Sequence, residues 1–417
     1  MIFEKGTGWR GSLASFRQEI NPNRIGLGFT GFIFATTGPL VILVASANKV
    51  NLPLETTISW IFIIYVTSGL GSIGLSLYYR QPIVVAFSIP GIALSIAALT
   101  HYSFSDVVGA YFVIGILLFL MGITGVAKWV MSWVPLPVLM GMVAAVLLPY
   151  GISVFKAVDT IPEIAFPSIG IFLVLMAFPR LARYFPPVIC ALVVALFLAT
   201  LTNATNWGVL QVGFSQPIFF APTFNLNTIL DLAPPLLVSV VAVQNGQGIG
   251  VMLGQGYKPP VNTMTAYTGL GSIVNAFFGG HSACIAGPVT AIVGGPSAGP
   301  KEGRYAAAVA NGVFWVMLGL VAPVVASLDK VVLSPSLILM LGGLAMLPVL
   351  LGTFSQAFGG KFRFGALFAL LITLSEVKIA GIGSAFWGLL GGMLATMLLD
   401  RADFMEMVKN NRSSKEG

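Results

Sequence analysis

Charge is what this sequence lacks most. Asp, Glu, Lys and Arg make up 8% of its 417 residues and hydrophobic types 57%, whereas a soluble globular protein is about 25% charged. A chain this poor in charge cannot cover a water-facing surface, which excludes a soluble fold. Histidine and cysteine are scarce as well: His101, His281, Cys190 and Cys284 are all there are, with both cysteines inside apolar runs. They supply neither a disulfide framework nor a metal-ligand cluster, so no cofactor and no metal is expected. The fourteen acidic residues avoid the middle of the apolar runs, Asp231, Asp329, Glu376 and Asp400 falling near run ends. No nucleophile–base pairing lies within the runs, so an enzyme is the poorest reading.

What the sequence has is apolar length. About 20 apolar residues cross a bilayer core as a helix. Lipid leaves the backbone two options, helices or a closed barrel, and runs rich in Gly and Ala without period-two alternation choose helices. Fourteen spans are expected, at residues 27–47, 57–78, 82–99, 107–127, 132–153, 164–178, 186–203, 231–254, 261–278, 282–296, 304–326, 331–353, 362–376 and 379–400. The expected fold is thus all-α and polytopic in the lipid bilayer. Residues 1–24 are polar and basic and the first run is long enough to span, so no cleaved signal peptide is expected.

The net charge of +7 reads as topology rather than as a nucleic-acid site. Fourteen spans put both termini on one side, and 17 of the 21 Lys and Arg residues fall there. The other side receives only Lys49, Lys156, Lys330 and Lys378. Cytoplasmic loops concentrate Lys and Arg. Both termini are therefore expected in the cytoplasm, with the protein in the cell (inner) membrane and the uncharged segment 205–230 as an external loop.

The chain also repeats itself. TSGLGSIGLS at 67–76 and YTGLGSIVNA at 267–276 share Gly-Leu-Gly-Ser-Ile at an offset of 200 residues. Gly115 and Gly122 match Gly312 and Gly319, Pro149 matches Pro348, and Leu198-Ala199-Thr200 matches Leu394-Ala395-Thr396, all at nearly that offset. Either Gly-rich helices coincide by chance, or a unit of seven spans is duplicated. Seven is odd, so the second copy would enter the membrane upside down, an arrangement of secondary transporters whose site lies between the copies.

Spans 3 and 10 are where chemistry is expected. Each has a short apolar stretch, then Pro-Gly or Gly-Pro (Pro90-Gly91, Gly287-Pro288), then a helix-compatible run. Proline suits the first helical turn, where its missing N–H is no loss. Each span is thus expected to enter extended and begin its helix at about Pro90 or Pro288. Entering from opposite sides, the half-helices would aim their N-termini at each other, a site for an anion without Arg or Lys. The alternative is a pair of ordinary proline kinks. Around the breakpoints stand Phe87, Ser88, Ile89, His281, Ser282, Ala283 and Cys284. Span 8 adds the amides Gln244, Asn245 and Gln247, and span 1 adds Thr36 and Thr37. The threonines fit back-bonding to their own helix equally well, and Phe87 could simply pack. His281 is the one histidine placed to carry a proton near the site; a structural hydrogen bond suits it equally.

The stretch QNGQGIGVMLGQGYKPPVN at 244–262, the GLGSI after it and FFGGHSACIAGP at 277–288 resemble the BenE-type benzoate:proton symporters. More distantly, the layout is similar to the uracil permease group. That likeness implies two inverted repeats of seven spans and a substrate held among spans 1, 3, 8 and 10. It also implies a core domain (27–130 and 231–328), a gate domain (131–204 and 329–400), flanking segments 1–26 and 401–417, and a homodimer through the gate. Uracil permeases carry acidic residues in spans 8 and 10. Here Gln244 and the neighbourhood of Ala283 take those places, and both are neutral. A neutral site suits an anion, which a buried acid would repel. The implied activity is uptake of a small aromatic carboxylate, benzoate first, with protons. A nucleobase or inorganic anion carrier, or an anion channel, is the alternative.

Overall fold

The computed structural model describes residues 3–127, 135–182, 185, 187–327, 331, 335–377, 379 and 384–416. The expected boundaries at 130/131 and 328/329 lie outside these residues, as do Lys128, Arg183, Lys330 and Lys378. Helices occupy each of the fourteen expected spans. Span 1 is Pro22–Lys49, span 2 Leu54–Tyr79, span 4 Phe104–Thr124, span 5 Leu136–Thr160, span 6 Pro162–Ala177 and span 7 Pro187–Leu201. Span 8 is composite, with helix Leu226–Val238, a π-helical stretch Ser239–Asn245 and helix Gly246–Gly254. Span 9 is Val261–Phe277, span 11 Tyr305–Leu320 and Ala322–Ala326, span 12 Pro335–Phe358, span 13 Arg363–Leu374 and span 14 Ser384–Leu398. Among the described residues, five of these helices are long and apolar enough to cross a membrane on their own account.

Spans 3 and 10 break as expected. Each enters as a strand, β1 Val85–Phe87 and β2 Ala283–Ile285, and leaves as a half-helix, Ile89–Leu99 and Gly287–Gly294. The otherwise helical fold therefore holds a two-stranded antiparallel sheet, a local departure from the all-α expectation. Several boundaries also shift. Polar flanks add a helix at each terminus, Trp9–Glu19 and Arg401–Glu416, and span 8 begins five residues earlier, at Leu226. Asp231, expected near the end of its span, consequently lies inside the helix and is 7% exposed.

The packing pairs the two repeats. Span 2 lies along span 11 and span 9 along span 4, the same contact with the repeats exchanged; spans 1 with 10 and 8 with 3 form a second such pair. The repeated glycines make the first contact possible. A β-carbon on Gly69 would come within 2.5 Å of the Gly312 carbonyl, and one on Gly312 within 2.6 Å of the Gly69 carbonyl. At the equivalent crossing, a β-carbon on Gly115 would lie 2.7 Å from the Ile273 amide and 3.1 Å from the Gly269 carbonyl. Small residues let membrane helices approach backbone to backbone. These are the glycines that carried the repeat in the sequence, and the fold is the inverted seven-plus-seven arrangement.

The N-terminal arm ties these spans together at one end. The Glu4 carboxylate accepts hydrogen bonds from Asn262 N, Thr263 N and Thr263 Oγ1 at 2.9–3.1 Å, capping span 9, while Tyr79 Oη of span 2 donates to the Glu4 carbonyl. Burial pushes the Glu4 carboxyl up, but these hydrogen bonds outweigh it and hold the group below its ordinary value.

Two outcomes are expected. Gly312→Ala should destabilise the protein by about 1–3 kcal/mol through overpacking, seen as a lower melting temperature in detergent. Gly170→Ala, where an added β-carbon meets nothing within 4 Å, should leave it unchanged. Glu4→Gln should lower the melting temperature at pH 7 by the loss of about 1 kcal/mol, the group being partly solvated. A depressed carboxyl stabilises above its ordinary range and loses that contribution as pH falls through its folded value. The gap between Glu4→Gln and wild type should therefore close on acidification below the ordinary value of 4.5.

Candidate functional site

The site is built where the strands cross. Val85 pairs with Ile285, Ala86 with Cys284 and Phe87 with Ala283. Ser88 N donating to the Ser282 carbonyl (3.0 Å) and Ala286 N to the Val84 carbonyl (2.9 Å) extend the ladder at both ends. The outer edges are covered by side chains from neighbouring spans. Ser72 Oγ accepts from Val85 N and donates to its carbonyl, and Ser76 Oγ does the same for Ile83. On the other edge Ser272 Oγ accepts from Ala283 N (3.0 Å) and Asn245 Oδ1 from Ile285 N (2.8 Å). Ser72 and Ser272 are the serines of the two GLGSI motifs, so the repeat supplies one strand-edge ligand per copy.

Antiparallel strands send the half-helices away in opposite directions. Their N-cap residues, Ser88 and Ala286, are four residues apart in this register, about 13 Å along the ladder. The expectation that the N-termini aim at each other across a gap is thus modified, since the ladder itself joins them. The two termini differ chemically. Ser88 Oγ accepts from Gly91 N at 3.0 Å, whereas the span 10 half-helix has no side-chain cap.

His281 links three spans. Trp60 Nε1 of span 2 donates to His281 Nδ1 at 2.9 Å, and His281 Nε2 lies 2.8 Å from the Ser88 carbonyl. An indole nitrogen only donates, so Nδ1 must hold the lone pair and Nε2 the hydrogen. The ring is neutral, fully buried, and positioned so that a β-carbon on Gly91 would touch it at 2.8 Å. Its carbonyl accepts from Asn275 Nδ2, whose Oδ1 in turn accepts from Thr67 Oγ1 at 2.6 Å. Both ring nitrogens are committed in this arrangement.

The remaining residues divide by exposure. Phe87 is buried, with the Tyr65 ring at 5.0 Å and the His281 ring at 5.8 Å, both edge-on. Thr36 adjoins Tyr65, yet neither hydroxyl closes a hydrogen bond. Gln244 Oε1 and Ser282 Oγ are likewise buried and unpartnered. Asn245 is engaged with Ile285 N and with Thr268 Oγ1. Ala283 and Cys284 are buried in β2, and Gly287 packs against Gln247, where a β-carbon would meet Gln247 Cβ at 2.9 Å. Ile89, Pro90, Gln244 and Gln247 keep open surface. The side chain of Thr37 lies outside the described residues. Sequence reasoning missed Trp60, Tyr65, Thr67 and Asn275. All sit on helices whose apolar runs gave no local sign of polar work; only Trp60 and Tyr65, as aromatics with a polar end, hinted at partners. Among the described residues no group of three His, Cys, Asp or Glu could hold a metal.

A family model described as "Benzoate membrane transport protein" (BenE) matches residues 18–398. The chain belongs to the BenE family of membrane transport proteins. It is a transporter and not an enzyme. The benzoate membrane transport protein of Acinetobacter baylyi is 31% identical over 390 residues, which cover 93% of this chain and 98% of that protein. The inner membrane protein YdcO of Escherichia coli is 29% identical over 385 residues, covering 92% and 97%. Among solved structures, the transmembrane domain of a cyanobacterium bicarbonate transporter, BicA, superposes with a TM-score of 0.62 at 13% identity, over 98% of this chain and all of that one. SLC26A9 superposes at 0.59 and 18% identity, over 93% of this chain and 67% of that one. At such identities the likeness is one of fold.

Trp60→Phe keeps an aromatic body but leaves His281 Nδ1 buried without a donor. A loss of about 1–3 kcal/mol is expected, read as a lower melting temperature in detergent. Trp9→Phe, at a half-exposed position, should change little.

Proposed function

We propose that this protein takes up a small aromatic carboxylate, benzoate first, together with a proton. Family membership supports the substrate class. The observation that carries the reading is a set of buried polar groups without partners, Thr36 Oγ1, Tyr65 Oη, Gln244 Oε1 and Ser282 Oγ, gathered at a strand crossing from which two helices begin. Buried polar groups are ordinarily hydrogen-bonded; the Thr36, Tyr65 and Ser282 hydroxyls can donate, and unsatisfied donors beside a helix N-terminus suit a carboxylate. In this reading the carboxylate meets the N-terminal turn at Gly287, the Gln244 amide and the Thr36 and Tyr65 hydroxyls. Phe87 and Ile89 take the ring. No acid stands at this position, in keeping with an anionic substrate.

Spans 1–4 and 8–11 act as a substrate-holding core and spans 5–7 and 12–14 as a gate through which two copies associate. The packing of span 5 on span 12, and of each of spans 6 and 13 on the span after it, supports a separate gate. Both termini lie in the cytoplasm, and His281, held neutral by its two partners, organises the crossing.

The test is uptake of radiolabelled benzoate into proteoliposomes with an inward proton gradient. Accumulation above equilibrium is expected, abolished by an uncoupler. Thr36→Val and Gln244→Ala should each reduce it by about 10-fold, the equivalent of one lost hydrogen bond of about 1.4 kcal/mol. Competition by uracil or bicarbonate but not benzoate would move the assignment to a nucleobase or inorganic anion, and flux that never exceeds equilibrium would indicate a channel.

A further inference from the structure

Span 8 carries a stripe of polar groups. Asp231 is the only carboxylate among the buried residues of the described chain, and it lies inside a membrane helix. Thr228 and Ser239 are fully buried, each with a hydroxyl that has no hydrogen-bond partner. At 100° per residue Thr228, Asp231 and Ser239 fall within about 80° of one another, on a single face of the helix. Gln244, further along the same span, also has an unpartnered Oε1.

The backbone is irregular over the same stretch. Pro234 and Pro235 sit inside the helix, so the carbonyls of Leu230 and Asp231 lack their usual i+4 donors. The residues from Ser239 to Asn245 are π-helical, a deformation that frequently marks functional sites. Freed carbonyls and unpaired hydroxyls along one span are groups that water or a proton can use. Tyr102, in the turn between spans 3 and 4, faces Asp231. Burial first, and then the Asp231 charge, push its phenol up to about 12. Spans 3, 4 and 14 pack against this half of span 8. Their helices bring only Asp106 and Tyr111 as further titratable groups, and Asp106 is held by Ser103 and Thr223.

An ionisable group within a membrane helix is costly and is ordinarily retained for function. We infer that Asp231 is the group that takes up the coupling proton, and that Thr228, Ser239 and the freed carbonyls of span 8 form its route toward Gln244. The inference rests on the proton-coupled reading above. It places proton entry at the end of span 8 beside the 205–230 segment, the external side in the proposed orientation. Asp231 does not touch the substrate; it acts by its charge on the span that carries Gln244. Taking up a proton from outside and releasing it inside returns the carboxylate to its starting state, so the cycle balances.

The experiment uses the full chain in proteoliposomes and reads two activities with radiolabelled benzoate. One is accumulation driven by an inward proton gradient, and the other is counterflow against internal benzoate with no gradient. For Asp231→Asn, accumulation should fall at least tenfold while counterflow stays within about twofold of wild type, and the dependence of uptake on external pH should flatten. Asp231→Glu should restore accumulation, and Ser239→Ala should slow it at unchanged counterflow. Accumulation by Asp231→Asn at the wild-type level would overturn the inference alone. Loss of counterflow as well, in both Asp231→Asn and Asp231→Glu, would assign the residue a structural role and overturn it too. Wild-type protein that performs counterflow without gradient-driven accumulation would instead overturn proton coupling itself.

Discussion

The fold depends on one constraint: a backbone that leaves the helix in the middle of a bilayer must find every hydrogen bond within the protein. Two spans do leave the helix here, and each unwinds next to the other. The two strands satisfy each other's inner edges. Their outer edges cannot be left to lipid, and Ser72, Ser76, Ser272 and Asn245 close them from three different spans. Such an arrangement fixes where spans 2, 8 and 9 stand relative to the crossing. It also explains why a three-residue sheet persists at all, since a pair of such strands in water would not.

The same constraint gives the repeat its chemistry. Each GLGSI motif contributes a glycine, which lets its helix meet a partner backbone, and a serine three residues on, which bonds a strand edge. Gly69 and Ser72 do this for the first copy, Gly269 and Ser272 for the second. A duplicated, inverted unit thus delivers two half-helices to one place, with a ligand for each strand. Polar groups left over at the crossing, with Thr36, Tyr65, Gln244 and Ser282 among them, stand out against strand edges that are fully hydrogen-bonded.

Much of this is legible in the chain itself. Pro90 and Pro288 announce the breakpoints because proline belongs in a helix's first turn, and the helices begin at Ile89 and Gly287. Partnership is not legible in the same way. The indole of Trp60 reaches His281 across 221 positions of sequence, and no local pattern encodes that. A histidine beside a breakpoint is equally compatible with carrying a proton and with holding two helices; only the donors around its ring distinguish them. Asp231 is the converse case. Hydropathy puts it near a span end because Leu226 to Leu230 look like loop beside Asn225 and Asn227, whereas the Asn225 cap starts the helix earlier and carries the carboxylate inside.

By itself the sequence determined the solvent, the number of spans, the inverted repeat and the two points where helices start. These follow from composition and from residues whose backbone preferences are local, namely long apolar runs, glycine and proline. Tertiary structure alone decided that the interrupted segments pair as strands, which side chains close their edges, and which polar atoms remain unpartnered. Hydrogen bonds between spans join residues far apart in the chain, and their geometry exists only once the helices have packed.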